Sequence, residues 1–140
     1  MGCQPHQGAG YFEVNDPGVH RRYEEFYGVK LNEEPGWKIP EMFEAAIDGR
    51  LKALWLMGED VVQTDPDSEH VKMAMDSLDF LVVQEIFMTE TAKFANVVLP
   101  ASSFLEKSGT FTNAERRISP VRQVMRPKSG VGEWQATQML

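Results

Sequence analysis

Apolar positions along the 140-residue chain follow two rhythms, and the change falls near residue 50. Before it the rhythm is helical. Asn15-Asp16-Pro17 sets a capping carboxylate ahead of a proline in a first helical turn. Val19, Tyr23 and Phe26 follow at helical spacing, and Gly28 suits a helix stop. A loop over Leu31 to Lys38 carries Pro35-Gly36. A short helix is expected next, with Pro40 at its start, Met42, Phe43, Ala46 and Ile47 on one face, and Gly49 at its end. The first fifteen residues hold three glycines and a proline without any period, so they read as a loop or as a displaced piece of something larger.

After residue 50 short apolar runs alternate with helical patterns. Leu51 to Met57 is nearly continuous in apolar residues, which predicts a strand buried on both faces. Gly58 to Thr64 reads as a polar loop, and Asp65-Pro66 as the cap of a helix with Val71, Ala74, Met75 and Leu78 on its apolar side. Phe80 to Val83 is a second strand, Gln84 to Thr91 a loop, Ala92 to Ala95 a short helical stretch, and Asn96 to Leu99 a third strand closed by Pro100. Strand, helix, strand, helix, strand implies an α/β fold: a three-layer, Rossmann-like parallel sheet flanked by helices, with right-handed crossovers. The expected organisation is a loop and helical lead-in over 1–50 and the parallel α/β part over 51–140, together one structural unit. Such sheets bind ligands beyond the carboxyl ends of their strands, which selects Gly58–Thr64, Gln84–Thr91 and Ala101–Thr112.

In the first of these loops, Gly58 directly follows a strand and lets a ligand approach the backbone. Asp60 and Thr64 offer an acceptor and a hydroxyl beside a helix start, either for an anion or simply to tie up a turn. Neither a dinucleotide fingerprint nor a P-loop is present. Gln84 and Glu85 emerge from the second strand where a sugar or base edge would be read, while Thr89 suits a plain N-cap with Glu90 and Thr91 in the first turn. Lys107, just before Ser108-Gly109, suits a phosphate as a point charge.

Other chemistry falls away. Ser102 and Ser103 sit in no nucleophile elbow, and no histidine follows them. Cys3 and His6 have ligand-like spacing without a second pair. The carboxylates Glu24-Glu25 and Glu59-Asp60 are adjacent, hence divergent. His20 and His70 fall on helices as surface or boundary residues.

Composition adds bounds. With 42% hydrophobic and 25% charged residues the chain can build a core. Its one cysteine excludes an internal disulfide framework and points to a reducing compartment, so a cytoplasmic location is expected. No apolar stretch reaches the roughly 18 residues that span a bilayer, so no membrane partner is expected. Fourteen basic and 21 acidic residues give −7, which disfavours a nucleic-acid partner. Residues 1–70 carry 6 basic and 14 acidic side chains (−8), and residues 101–140 carry 6 and 3 (+3). The basic tail (Arg116, Arg117, Arg122, Arg126 and Lys128) is either a solvated face or a local anion or partner surface.

The segments Trp55-Leu-Met-Gly-Glu-Asp-Val-Val-Gln-Thr-Asp-Pro-Asp67 and Phe80 to Ile118 carry a long, specific combination. It runs T-x-T-A-x-x-A-[DN]-V-V-L-P, then E-K-x-G-T-F-T-N-x-E-R-R. This resembles the molybdopterin oxidoreductase family, and within it the alpha (catalytic) subunits of formate dehydrogenases. The opening segment and the stretch from Asn15 to Val29 are similar to what precedes the motif there, so the likeness covers essentially the whole chain.

The resemblance implies a bis(molybdopterin guanine dinucleotide) cofactor carrying molybdenum or tungsten, with this domain gripping one nucleotide end. The cofactor contacts it implies are Asp60, Thr64, Gln84, Glu85, Lys107 and Glu133, to which the strand-end reading adds Gly58, with no catalytic residue and no metal ligand expected in the chain. Asn96 stands where Asp is more frequent and is expected to be structural. The parent enzyme would oxidise formate to carbon dioxide and pass electrons through iron–sulfur subunits. Family members are several times longer, so the expectation is a fragment whose partner is the remainder of the catalytic subunit, inactive alone and with no bound cofactor. Exposed apolar surface would then favour self-association, with Trp37, Phe104 and Trp134 as contacts or as core. Alternatives are the corresponding domain of a nitrate reductase or of the complex I large subunit, and a non-catalytic nucleotide- or protein-binding module.

Overall fold

A computed structural model describes residues 5–8, 12–115 and 117–139, apart from the side chain of Glu133. Cys3, Arg116 and the Glu133 carboxylate, all singled out above, lie outside the described residues. The chain divides into two compact units, Met1–Met42 and Phe43–Leu140.

In the first unit the helix α1 spans Pro17–Tyr27. Asp16 caps it, one carboxylate oxygen accepting the Gly18 and Val19 amides at 2.8 and 3.0 Å. Gly28 ends it in the left-handed conformation at φ +67. Val19 and Tyr23 are half-buried, but Phe26 of the same stripe is 80% exposed.

The helix α2 spans Ile39–Ile47, and from Phe43 onward it belongs to the second unit. Phe43, Ala45 and Ala46 are buried, whereas Ile47, expected on the same face, is exposed. The strand β1 spans Ala53–Met57, and the short helix α3 spans Val61–Thr64 inside what the pattern read as a loop. The helix α4 spans Ser68–Ser77 and is capped by Asp67, not by Asp65; Asp67 accepts the His70 amide at 3.2 Å. Asp65 instead accepts the Asp67 amide at 3.0 Å, bending the chain into that cap.

The strand β2 spans Phe80–Glu85, a 3₁₀ turn spans Thr91–Phe94, and β3 spans Val97–Pro100. The three strands form one parallel sheet in the order β1-β2-β3, with Trp55 paired to Val82 and Val82 to Val97. The helix–strand alternation therefore produces the α/β sheet its pattern predicts. Asn96 leads into β3 by exchanging bonds with Leu81: its side-chain oxygen accepts the Leu81 amide at 2.6 Å, and its own amide donates to the Leu81 carbonyl at 2.9 Å.

Side chains alternate across the sheet. Leu54, Leu56, Leu81 and Val83 face the core formed with Val61, Val62, Val71, Ala74 and Met75 from α3 and α4. Trp55, Met57, Phe80, Val82, Gln84 and Val97 point to the other face. β1 is not buried on both faces as expected, because it is an edge strand: none of its residues is fully buried and Met57 is 52% exposed. Of the three strands of this sheet, β2, flanked on both sides, is the one with fully buried residues.

A 3₁₀ turn over Phe104–Glu106 leads to a two-stranded antiparallel sheet of β4, Gly109–Thr112, and β5, Ile118–Val121, which no pattern above anticipates. The helix α5 spans Glu133–Gln138 and approaches the end of β1, where the Thr137 hydroxyl lies 3.9 Å from the Met57 sulfur. No helix among the described residues is long and apolar enough to cross a membrane.

Candidate functional site

The three strands deliver their carboxyl ends to one cavity of about 420 Å³. Met57 and Gly58 come from the end of β1, Gln84, Glu85 and Ile86 from the end of β2, and Ala101, Ser102 and Ser103 from just beyond β3. Phe104, Lys107 and Phe111 complete the wall. Of the residues expected at the site whose side chains are described, Gly58, Gln84, Glu85 and Lys107 line one space.

Gly58 sits at φ +66, a conformation that L side chains rarely adopt, and a Cβ built there would meet nothing within 4 Å. Its amide donates to the Gln84 carbonyl at 2.9 Å, so β1 stays locked to β2 up to the cavity edge. Gln84 is 2% exposed, and its side-chain oxygen is buried with no hydrogen-bond partner among the described residues. Buried acceptors are nearly always paired, since leaving one unmet costs about 1–3 kcal/mol. Glu85 is half-buried and its carboxylate accepts the Ile86 amide at 2.7 Å.

Asp60 and Thr64 do not line this cavity. Asp60 precedes α3, and one of its oxygens accepts from both the Thr91 hydroxyl at 2.6 Å and the Thr91 amide at 3.0 Å. Burial raises the Asp60 carboxyl, but the Thr91 hydroxyl and the amides of Thr91, Glu90 and Gln63 outweigh it and hold it below its ordinary value. The Thr64 hydroxyl donates to Glu59 at 2.8 Å on the exposed side of α3. Asp60 therefore ties together two loops 31 residues apart rather than its own turn.

Thr91 and Glu106 take roles that the sequence pattern did not assign them. Thr91 is fully buried, and its hydroxyl oxygen also accepts the Val62 amide at 3.0 Å, so one side chain fastens α3 and the loop after β2. Nothing local in the sequence marks that role. Glu106 could have been found, because Ser103 and Glu106 stand at capping-box spacing. Its carboxylate accepts the Ser103 amide at 2.8 Å and the Lys128 amide at 2.9 Å. Those two bonds, a further one from the Ser103 hydroxyl and the Lys128 charge hold it below its ordinary value, against a smaller burial effect. The Thr89 hydroxyl accepts the Ala92 amide at 3.2 Å, the capping role its position suggests.

The chemistry available is that of holding. The Ser102 hydroxyl donates to the Val131 carbonyl at 3.3 Å. No group of three or more histidine, cysteine or acidic side chains able to hold a metal occurs among the described residues. Apolar walls with a few convergent polar groups suit a flat heterocycle with polar edges.

Comparison with known proteins gives this site a context. Residues 1–131 match the family model of molybdopterin oxidoreductases. The chain is 47% identical over 127 residues to a formate dehydrogenase subunit alpha of Methanocaldococcus jannaschii, covering 91% of this chain and 18% of that protein. It is 43% identical over 141 residues to a putative formate dehydrogenase of Staphylococcus haemolyticus, covering 100% and 14%. A probable oxidoreductase of Bacillus subtilis is 48% identical over 127 residues, covering 91% and 13%. The chain thus spans 13 to 18% of the length of these curated relatives. Among solved structures, acetylene hydratase from Pelobacter acetylenicus superposes with a TM-score of 0.65 at 23% identity, over 87% of this chain and 18% of that one, a likeness of fold alone.

Proposed function

The chain belongs to the molybdopterin oxidoreductase family, and on that premise we propose that its strand-end cavity holds the nucleotide end of a molybdopterin guanine dinucleotide. The family implies a molybdopterin cofactor; the guanine dinucleotide form is part of the proposal. One observation carries it: the buried, unpartnered side-chain oxygen of Gln84 on the central strand, at the rim where parallel sheets take their ligands. A guanine edge or a ribose hydroxyl supplies the missing donor. Glu85 accepts a second hydrogen bond beside it, Lys107 faces the phosphates as a point charge, and Gly58 keeps the backbone open to close approach. The resemblance adds Asp60 and Thr64 as further contacts to the dinucleotide and Glu133 as an acidic residue at the guanine, with Asp60 also bracing the rim through Thr91.

In this reading the chain is part of a formate dehydrogenase catalytic subunit, as the names of its relatives favour, working with iron–sulfur electron-transfer subunits. Two-electron oxidation of formate to carbon dioxide is the chemistry the cofactor supplies when bound. This chain's residues bind and orient its nucleotide, the usual protein contribution in a cofactor enzyme.

Titration calorimetry with guanosine tests the proposal. Saturable binding is expected, weaker for adenosine and lost in Gln84→Leu while circular dichroism shows the fold intact. No guanosine binding, or equal binding of adenosine, overturns the assignment. The chain alone is expected to show no formate-dependent dye reduction.

A further inference from the structure

Lys107 stands between two cavities. One is the strand-end cavity, and the other, of about 560 Å³, is walled in part by Lys107 with Glu106, Ser108, Gln123 and Arg126. A lysine is a point charge on a flexible four-carbon stem, so where its ammonium group stands depends on how firmly its backbone is held.

That backbone is held from both sides. The Leu105 carbonyl accepts the Val124 and Met125 amides at 2.8 and 3.1 Å, and the Ser108 hydroxyl oxygen accepts the Gln123 amide at 3.0 Å. Glu106 reaches further. One of its carboxylate oxygens accepts the Ser103 amide at 2.8 Å and the other the Lys128 amide at 2.9 Å, 22 residues away. Ser103 belongs to the wall of the strand-end cavity, so this one side chain ties that wall to the segment over 123–128 through the turn that ends at Lys107.

Glu106 is 8% exposed, and its bonds to the two amides and the Ser103 hydroxyl keep the carboxyl below its ordinary value. A buried carboxylate beside a place for phosphate is unfavourable by charge alone. What it contributes is its grip on two backbone segments.

We infer that Glu106 is a positioning residue, whose buried carboxylate fixes the backbone that carries Lys107 and so sets where that cation stands on the strand-end cavity. That Lys107 meets a phosphate there rests on the function proposed above. That Glu106 places Lys107 rests on the bonds just given.

Guanosine and GDP are titrated by calorimetry against the full chain and its Glu106→Gln, Glu106→Asp and Lys107→Met variants, and against Glu106→Gln combined with Lys107→Met. GDP is expected to bind the unaltered chain at least about tenfold more tightly than guanosine, and Lys107→Met should remove that increment. Glu106→Gln deletes a negative charge of the same shape, so charge alone would tighten GDP. Positioning gives the opposite sign: GDP should weaken by at least about threefold while guanosine affinity holds. Glu106→Asp keeps the charge, loses the reach, and should weaken GDP in the same way. The double variant should bind GDP no more weakly than Lys107→Met, because Glu106 acts through Lys107.

GDP affinity that rises or stays level in Glu106→Gln, guanosine affinity that falls with it, or losses that add in the double variant overturn the positioning role and leave the cavity's ligand standing. GDP binding the unaltered chain no better than guanosine overturns the phosphate contact of Lys107 instead. Backbone relaxation of the ligand-free chain then decides the positioning role. The order parameter of the Lys107 amide should fall from about 0.85 to below about 0.6 in Glu106→Gln while that of Val83 holds, and a Lys107 amide as rigid as before overturns it.

Discussion

The hydroxyl of Thr91 donates to the carboxylate of Asp60 at 2.6 Å while its oxygen accepts the Val62 amide at 3.0 Å. One fully buried side chain therefore joins the loop leaving β1 to the loop leaving β2, just behind the cavity rim. Replacing Thr91 by valine keeps the shape, removes the hydroxyl bond to a charged acceptor and strands the Val62 amide. A loss of about 2 kcal/mol is expected in denaturant unfolding. Asp60→Asn, with its weaker acceptor, should lose less than Thr91→Val.

Acid should expose the same contacts. Asp60 and Glu106 are both held below their ordinary values of 3.8 and 4.5 by hydrogen bonds to the charged form. A carboxylate with a lowered folded value binds protons less readily in the native state than in the unfolded one. Its stabilisation is therefore full above those ordinary values and is lost as pH falls through the lower folded values. Denaturant midpoints should hold steady from pH 7 to about 5 and fall below that, and Asp60→Asn with Glu106→Gln should flatten the acid limb.

Gln84 should trade stability against binding. Its oxygen is buried without a partner in the ligand-free chain, so Gln84→Met, of similar volume, removes an unmet acceptor. Unfolding free energy is expected to rise by about 1 kcal/mol while guanosine affinity disappears. A destabilised variant with unchanged affinity would show that Gln84 is only a packing residue.

Gly58→Ala isolates a backbone effect. The position has φ +66 and open space around the missing Cβ, so no clash contributes. The expected cost is about 1–2 kcal/mol from the left-handed conformation alone, read from the thermal midpoint.

The sheet face opposite α3 and α4 should drive self-association. Met57, Phe80 and Val97 on it are 52%, 45% and 39% exposed, although parallel sheets are ordinarily covered on both sides. Sedimentation should show dimers or larger species at high concentration, shifted to monomer by Phe80→Lys with Val97→Lys. Phe104 and Trp134, 61% and 57% exposed, are further apolar surface rather than core.

What the sequence determined by itself was local. Asp16 and Gly28 bound α1 because a cap needs only residues within a turn of the helix end, and the apolar runs marked three strands because alternation of strand and helix is written along the chain. The order of those strands placed Gly58, Gln84, Glu85 and Lys107 at one rim before any coordinates, since parallel strands all finish on the same side. Tertiary structure decided what depends on distant neighbours. β1 became a half-exposed edge because burial is a matter of how many strands flank it, which no run of leucines encodes. Asp60 turned to Thr91, 31 residues on, rather than into the cavity. The Gln84 side-chain oxygen was left without a partner among the described residues, and Arg126 came to share a cavity with Lys107, because polar satisfaction and charge balance are settled only once separate segments meet.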